Sequence, residues 1–415
     1  MECCPEERLE IRNARRNQVG ILGAHISGAA LALFMNTFLL AYLLIATDNS
    51  LFVVAMYNLL LFGALFVGFA VTSYIIKRHS RVWAIRISAV AKVGSLLLVI
   101  FLQDHVVEFY MLFAALFGLA EGVYWGAILT LTSQTMGRRM SGFIVWEQVV
   151  RSVASIVFPV TLGALIQFVD FRVVAILCAV LGVILLGFTC LLREVKCHDC
   201  KPLSMTNYIR TMRARGMGRA VHYHFWLQTF HDFYRRVTLL LTVLIMVSFG
   251  DNLSLGIFGS VFAAANIAVI VIYKWAGPKR RAGKTMFWFS AVAPLAFGIA
   301  LLFNVSPATI ILLHVGYIAL GCIVRAEADK LRFSLQKYLG DESWHTESLL
   351  LTESGFMLTR IAMPLIVLLA YFTDVFMIIQ GLIVVMMAFV LVVAIMIATW
   401  HRRYGRLQHV GATGD

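Results

Sequence analysis

The sequence predicts an all-α membrane protein of twelve transmembrane helices in two six-helix halves, and three observations carry that reading. Of 415 residues, 60% are hydrophobic and 14% charged, whereas charged residues make up about a quarter of a soluble globular protein. The apolar surplus has to face lipid. The apolar residues gather into twelve stretches, most of them longer than the ~20 residues that cross a bilayer. Every second loop between them is basic: 28 of the 35 Lys and Arg fall in the termini and loops of one face, against Arg172 alone on the other. That asymmetry is the positive-inside bias, and with an even span count it places both termini in the cytoplasm of a multi-pass plasma membrane protein.

The first six spans fall near 21 to 46, 51 to 76, 86 to 103, 108 to 132, 143 to 168 and 172 to 192, and six more near 220 to 248, 253 to 273, 285 to 303, 307 to 329, 346 to 371 and 375 to 400. Stretches this long imply tilt. Met1 to Gln18 mixes four Glu with four Arg and runs into a full-length span, not into the short apolar core of a signal peptide. The connector 193–219 carries Lys and Arg with Pro202, Ser204 and several Gly, and reads as a cytoplasmic linker. The expected organisation is an N-terminal half 1–192, the linker 193–219, a C-terminal half 220–401 and a tail 402–415.

The halves repeat one another. Gly137-Arg138-Arg139 precedes Glu147 and, twelve residues on, Pro159; Lys337-Tyr338-Leu339-Gly340 precedes Glu353 and, eleven residues on, Pro364. Lys77-Arg78-His79-Ser80-Arg81 after the second span has its partner in the run from Lys274 to Arg281 after the eighth. A parallel repeat follows.

On these features the chain resembles the major facilitator superfamily of secondary transporters, in its bacterial form, over essentially its whole length. The resemblance rests on the six-plus-six count, the central loop, the two basic loops, Gly122-Val123-Tyr124-Trp125-Gly126 in span four and the run from Glu353 to Arg360 in span eleven. The family's acidic and glycine-bearing loop signature survives only in its basic part, because Tyr74-Ile75-Ile76 precedes Lys77-Arg78. Of the span-five antiporter signature, Pro159 and Gly163 match. The resemblance implies that spans one, four, seven and ten line a central cavity.

An ionisable group inside a span costs about 2.5 to 3.5 kcal/mol, so each calls for a partner, water or a function. Six basic groups lie at membrane depth, Lys92, Arg151, Arg235, Arg236, Arg325 and Arg360, beside six acids, Glu121, Glu147, Asp232, Glu327, Asp329 and Glu353. Glu147 with Arg151, Asp232 with Arg236, and Arg325 with Asp329 are four apart; Glu353 and Arg360 are seven apart, so each pair shares a helix face. Glu147, Arg151, Glu327, Asp329 and Glu353 read as gates or ion pairs. Arg235, Arg236, Arg325 and Arg360 read as groups that bind anions or lock the acids.

Span seven is the densest: Trp226, Gln228, His231, Asp232, Tyr234, Arg235 and Arg236. His231 lies ~16 Å from the predicted start of that span at 1.5 Å per residue, roughly half the hydrocarbon thickness. Glu121 stands mid-span without a basic residue within a turn, as a proton-coupling carboxyl would; a protonated carboxyl bonded across helices, or a salt bridge to an Arg of another span, are its alternatives. Glu121, Asp232 and His231 are therefore the proton-coupling candidates, and Tyr124, Trp125, Trp226 and Gln228 join the four arginines as cavity candidates. His25, Asn36, Asn58, Asn266 and His314 read as bonds between helices, and Lys92 as snorkelling or paired.

Net charge +13 does not point to nucleic acid, since the cations sit in short loops beside spans. Cys197-His198-Asp199-Cys200 has the gap of a zinc half-site, but the chain holds no second such pair, so neither a metal nor a cofactor is expected. A nucleotide-binding glycine loop and a catalytic constellation are both absent from the sequence, and an enzyme is not expected. The expectation is a monomeric, proton-driven secondary transporter of a small molecule working by alternating access among membrane lipids, with export as the working direction. An uptake symporter and a lipid or glycolipid flippase are the alternatives.

Overall fold

The computed structural model describes residues 5–404 apart from 49, 77–78, 103–104, 137–139, 195–202, 250–251, 278–279, 305, 340–343 and 374–375. Side chains at 5–15, 133–149, 151–152, 242, 246–249, 252, 318–319, 333–334, 336–338, 376 and 403–404 also lie outside the description. Ten helices among the described residues are long and apolar enough to cross a membrane, with a shorter apolar stretch at Val153–Phe168. The protein is an integral, multi-pass, all-α membrane protein.

Span one is α1 (Pro5–Leu33), a π-helical turn (Phe34–Phe38) and α2 (Leu39–Ala46). Spans two to six are α3 (Leu51–Ile75), α4 (Arg81–Phe101), α5 (Tyr110–Met136), α6 (Met140–Phe168) and α7 (Phe171–Leu191). The linker, expected as loop, contains a further helix, α8 (Met205–Ala214). Span seven is broken into α9 (Gly218–Arg235) and α10 (Val237–Phe249). Spans eight and nine are α11 (Asn252–Ala276) and α12 (Arg281–Phe303). Span ten is α13 (Pro307–His314), a second π-helical segment (Val315–Leu320) and α14 (Cys322–Leu339); α15 (His345–Thr373) and α16 (Phe376–Tyr404) complete the set.

Local chemistry sets many of these boundaries. Ser306 and Thr309 form a capping box with Pro307 at the first helical position of α13, and Asp170 accepts from the Arg172 N–H to start α7. At α4 the Ser80 side chain accepts from Trp83 N–H, and Glu194, from beyond the end of span six, accepts from the Arg81 and Val82 N–H groups and the Ser80 hydroxyl. An acid absent from the basic loop is thus supplied by another span, at a helix N-terminus where a carboxylate is stabilised.

Glycine decides how closely spans two and four approach. A Cβ on Gly118 or Gly122 would overlap the carbonyl oxygens of Leu61 and Leu65, and one on Gly68 would overlap that of Leu119. The two backbones touch, as small residues four apart allow in lipid. The halves meet along span two against span eleven, and span five against span eight. At the second seam a Cβ on Gly256 would overlap the Pro159 carbonyl oxygen. Ser260 Oγ donates to Ile156 O at 2.5 Å and accepts from Val160 N–H at 3.2 Å, inserting into the helical turn that Pro159 disturbs.

Both ends of the span two and span eleven seam are closed. On the linker side Phe69 packs with Leu349 and Leu350, joined by Trp125, Leu203 and Met205. On the opposite side the Phe52 ring lies 5.8 Å from Tyr371 and 6.2 Å from Phe372. Helix α8 docks on the linker side through buried Tyr208 and Met212, the Ser204 N–H to Glu347 (3.3 Å), and a Tyr208 to Trp344 ring contact.

Candidate functional site

Among the described residues, most of the ionisable groups inside the bundle gather in two clusters, one in each half. In the N-terminal half, Lys92 of α4 is fully buried, and its Nζ lies 2.5 Å from Glu121 Oε2 of α5. Glu121 Oε1 accepts from the Trp125 indole N–H at 2.7 Å, one turn on. The Lys92 ammonium also lies 3.7 Å from the centroid of the Tyr124 ring, an attractive placement over an aromatic face. Tyr124 stands edge-on to Trp125, whose ring lies 5.5 Å from that of His25 on span one. Glu121 is therefore not the isolated carboxyl expected from its own helix, and its partner is a Lys, not an Arg. Spacing along α5 cannot register a cation that arrives from α4.

The C-terminal cluster is larger. Asp232, on α9, is gripped by the Arg236 fork (Nε to Oδ2 3.0 Å, Nη2 to Oδ1 2.8 Å) and accepts from the Thr359 hydroxyl at 2.6 Å. Arg360 Nε lies 3.8 Å away, and Arg360 Nη1 donates to Glu353 at 2.9 Å. The chain Arg236, Asp232, Arg360, Glu353 thus staples span seven to span eleven just where span seven breaks. Across the interface, Phe62 of span two lies beneath both guanidiniums, 4.6 Å from Arg236 and 5.9 Å from Arg360.

Beside the staple, buried His231 has its Nδ1 4.0 Å from Asp329 on α14 and its ring 5.4 Å from Tyr234. Arg235, Arg325 and Arg332 lie within electrostatic reach of Asp329. Arg325 stands 5.0 Å from the Tyr317 ring, and Arg332 5.1 Å from the Phe356 ring. Asp329 is 43% accessible at its side chain and Arg235 is exposed, although His231 and Tyr234 next to them are not. His231, Tyr234 Oη and both polar atoms of Gln228 are buried with no hydrogen-bond partner. Residues 228, 231, 232 and 235 follow the i, i+3, i+4, i+7 pattern of one helix face.

Several expectations change. Trp226 does not belong to this face: it is exposed and stacks on Phe230, whose ring meets Phe389 of span twelve. It lies on the far side of α9 from Gln228 and His231. Glu327 turns toward Tyr273 of span eight (3.4 Å) and Lys330 (3.7 Å), away from the central cluster. The side chains of Glu147 and Arg151 lie outside the described residues, as do Cys197 and Cys200. Asn58 and His314 contact backbone carbonyls of their own helices, Val54 and Ile310, rather than bridging helices; His314 also stacks on Phe262.

Arg332, Thr359, Phe62 and Phe356 escaped the sequence reading. Arg332 lies beyond the predicted end of span ten, yet α14 continues to Leu339, and the series 325, 329, 332 marks one helix face. No sequence signal identifies Phe62. Among the described residues no group of three or more His, Cys, Asp or Glu is placed to hold a metal ion.

No family model matches the sequence, and no curated protein matches it. Solved structures do. A bacterial homologue of the iron transporter ferroportin, inward-facing, aligns with TM-score 0.65 at 16% identity over 95% of this chain and 99% of that one. A POT family transporter in complex with 5-aminolevulinic acid aligns with TM-score 0.65 at 12% identity over 94% and 96%. The nucleoside transporter NupG aligns with TM-score 0.60 at 15% identity over 92% and 99%. Helix order, paired halves and these alignments lead to one conclusion: the chain has the twelve-helix fold of the major facilitator superfamily of transporters.

Proposed function

We propose that the protein is a proton-coupled secondary transporter of a small molecule, working by alternating access in the plasma membrane with both termini in the cytoplasm. The observation that carries the reading is the buried Lys92 and Glu121 pair. Taking two charges out of water costs several kcal/mol per ion, and a pair that only had to be stable would be replaced by apolar side chains at little loss. A proton delivered to Glu121 removes the negative charge facing Lys92, so one protonation event changes the field inside the N-terminal half. Asp232 already holds Arg236, Arg360 and Thr359. That suits a lock between spans seven and eleven, leaving Glu121 and His231 to handle protons.

Alternating access needs two bodies that rock about a site between them. The Gly256 to Pro159 contact with the Ser260 insertion, and the Phe62 contact to Arg236 and Arg360, are the joints on which such rocking would turn. A lateral opening beside spans five and eight or two and eleven would favour a lipid flippase on the same fold; among the described residues the helices of each of these pairs pack against one another.

The test is flux in proteoliposomes under an imposed pH gradient, starting from a substrate screen. Glu121→Gln keeps size and hydrogen bonding and removes the titrating proton. It is expected to abolish gradient-driven flux while leaving substrate exchange. Driven flux at the wild-type rate in a folded Glu121→Gln protein removes Glu121 from coupling.

A further inference from the structure

Trp125 belongs to two structures at once. Its indole N–H donates to Glu121 Oε1 at 2.7 Å, and its ring packs on the linker-side seal of Phe69, Leu349 and Leu350, where Leu203 and Met205 of the linker also sit. Among the described residues, no other side chain both bonds the Lys92 and Glu121 pair and packs on that seal. An indole carries one donor and no acceptor, so the bond to Glu121 holds the ring in one orientation. A Phe would fill the same apolar space without that tie.

The linker side of the seal is a helix that depends on docking. Helix α8 has ten residues, and isolated helices shorter than about 12 to 15 residues are marginal in water. Its N-cap Ser204 accepts from the Asn207 N–H, and the Ser204 N–H donates to Glu347 on α15. Tyr208 and Met212, four apart, are fully buried, whereas Arg210 and Arg213 are exposed. Released from α9 and α15, α8 loses the contacts that keep it helical.

We propose that Trp125 is a positioning residue that ties the charge on Glu121 to the linker-side seal. A proton on Glu121 frees the indole, loosens the contact of Phe69 with Leu349 and Leu350, and undocks α8. The proposal rests on the reading of Glu121 as the proton-coupling carboxyl and adds the route by which its proton moves a gate. Hydrogen bonds to an ionised acceptor are roughly twice as strong as those between neutral groups, so protonation weakens the hold on the indole. The coupling is reciprocal: whatever loosens the seal also draws the donor away from Glu121. The groups that face this carboxyl are Lys92 on α4 and Tyr124 and Trp125 on α5, with His25 on α1 behind the Trp125 ring. Helix α3, packed along α5, contains no Asp, Glu, Lys, Arg or His, and the side chains of Glu147 and Arg151 on α6 lie outside the described residues.

The experiment is hydrogen exchange of the purified full chain in detergent, read by mass spectrometry over 205–214 and 345–350 and corrected for the intrinsic effect of pH on amide exchange. In the wild type, exchange in both segments is expected to rise about fivefold or more as the pH is lowered. Glu121→Gln leaves Lys92 charged and mimics the protonated acid, so it should exchange fast at every pH. Trp125→Phe should do the same. The double variant should exchange no faster than either single one, because both act through one bond.

A flat wild-type profile overturns the proposal without any variant. So does a pH response that persists in folded Glu121→Gln or Trp125→Phe, which assigns it to the other titratable groups beside α8, His345 and Glu347 on α15 and His222 and His224 on α9, all intact in both variants. Effects that multiply in the double variant overturn it as well. Hydrogen exchange as expected in a chain without gradient-driven flux would sink the transporter reading and leave the link standing; driven flux lost in Glu121→Gln with α8 exchange unchanged would do the reverse.

Discussion

At the residue scale, Lys92 and Glu121 show how a buried pair differs from a buried residue. Each group alone would stand unsolvated in the bundle; together, with the Trp125 N–H and the Tyr124 face, they are compensated. Removing one partner of a buried pair costs about 3 to 5 kcal/mol, because the other is left charged and alone. Lys92→Met is therefore expected to lower thermal stability in detergent sharply, and Lys92→Met with Glu121→Gln to recover a large part of the loss. If the double variant is no more stable than Lys92→Met, the pair is not the reason Lys92 is tolerated. The paired character of Glu121 was not legible along its own helix, since Lys92 lies 29 positions away in another span. The pairs Asp232 with Arg236 and Glu353 with Arg360 were legible, because each sits on one helix at a spacing that places both side chains on one face.

At the element scale, glycine and breaks in helices shape the bundle. Gly122 lies in the motif that also supplies Tyr124 and Trp125, and its lack of a side chain lets α5 rest on the α3 backbone. Gly122→Leu is expected to push the two helices apart and reposition Glu121. The cost is that of overpacking, about 1 to 3 kcal/mol, checked by unfolding temperature and by loss of flux at normal expression. A Gly122→Leu protein as stable as wild type would show that the contact is not close. The π-helical turns in spans one and ten and the break after Arg235 in span seven fall in three of the four spans expected to line the cavity. Such irregularities recur at functional sites. Hydropathy could not reveal them, because an averaged window responds to composition and not to which carbonyl an N–H finds. Helix α8 carries a weak sequence signal, Tyr208 and Met212 four apart, that a reading of the linker by its Gly and Pro content passes over.

At the scale of the whole molecule, the two halves are joined by packed seams around an apolar cavity of about 130 Å³ on the side opposite the linker, lined by Leu51, Ala55, Leu240, Leu244, Pro364 and Val367. These residues come from spans two, seven and eleven, so the void lies at the interface where rocking would occur. A cavity of this size leaves room for side chains to move. Ala55→Phe is expected to fill it, stabilise this conformation by thermal shift, and slow flux several-fold. Faster flux in that variant would show that the cavity plays no part in the motion.

Span number, approximate ends and membrane class were legible in the sequence alone. Each depends on composition summed over about 20 residues and on loop charge, which neighbours in space do not alter. Tertiary structure alone decided which charges meet. It paired Lys92 with Glu121, brought Arg332 to Asp329, set Phe62 of one half against Arg236 and Arg360 of the other, turned Trp226 away from the cavity face and sent Glu327 toward Tyr273. The reason is geometric: a helix carries its side chains around a full circle, and only its rotation and its choice of neighbours determine which of them face a partner, a cavity or lipid.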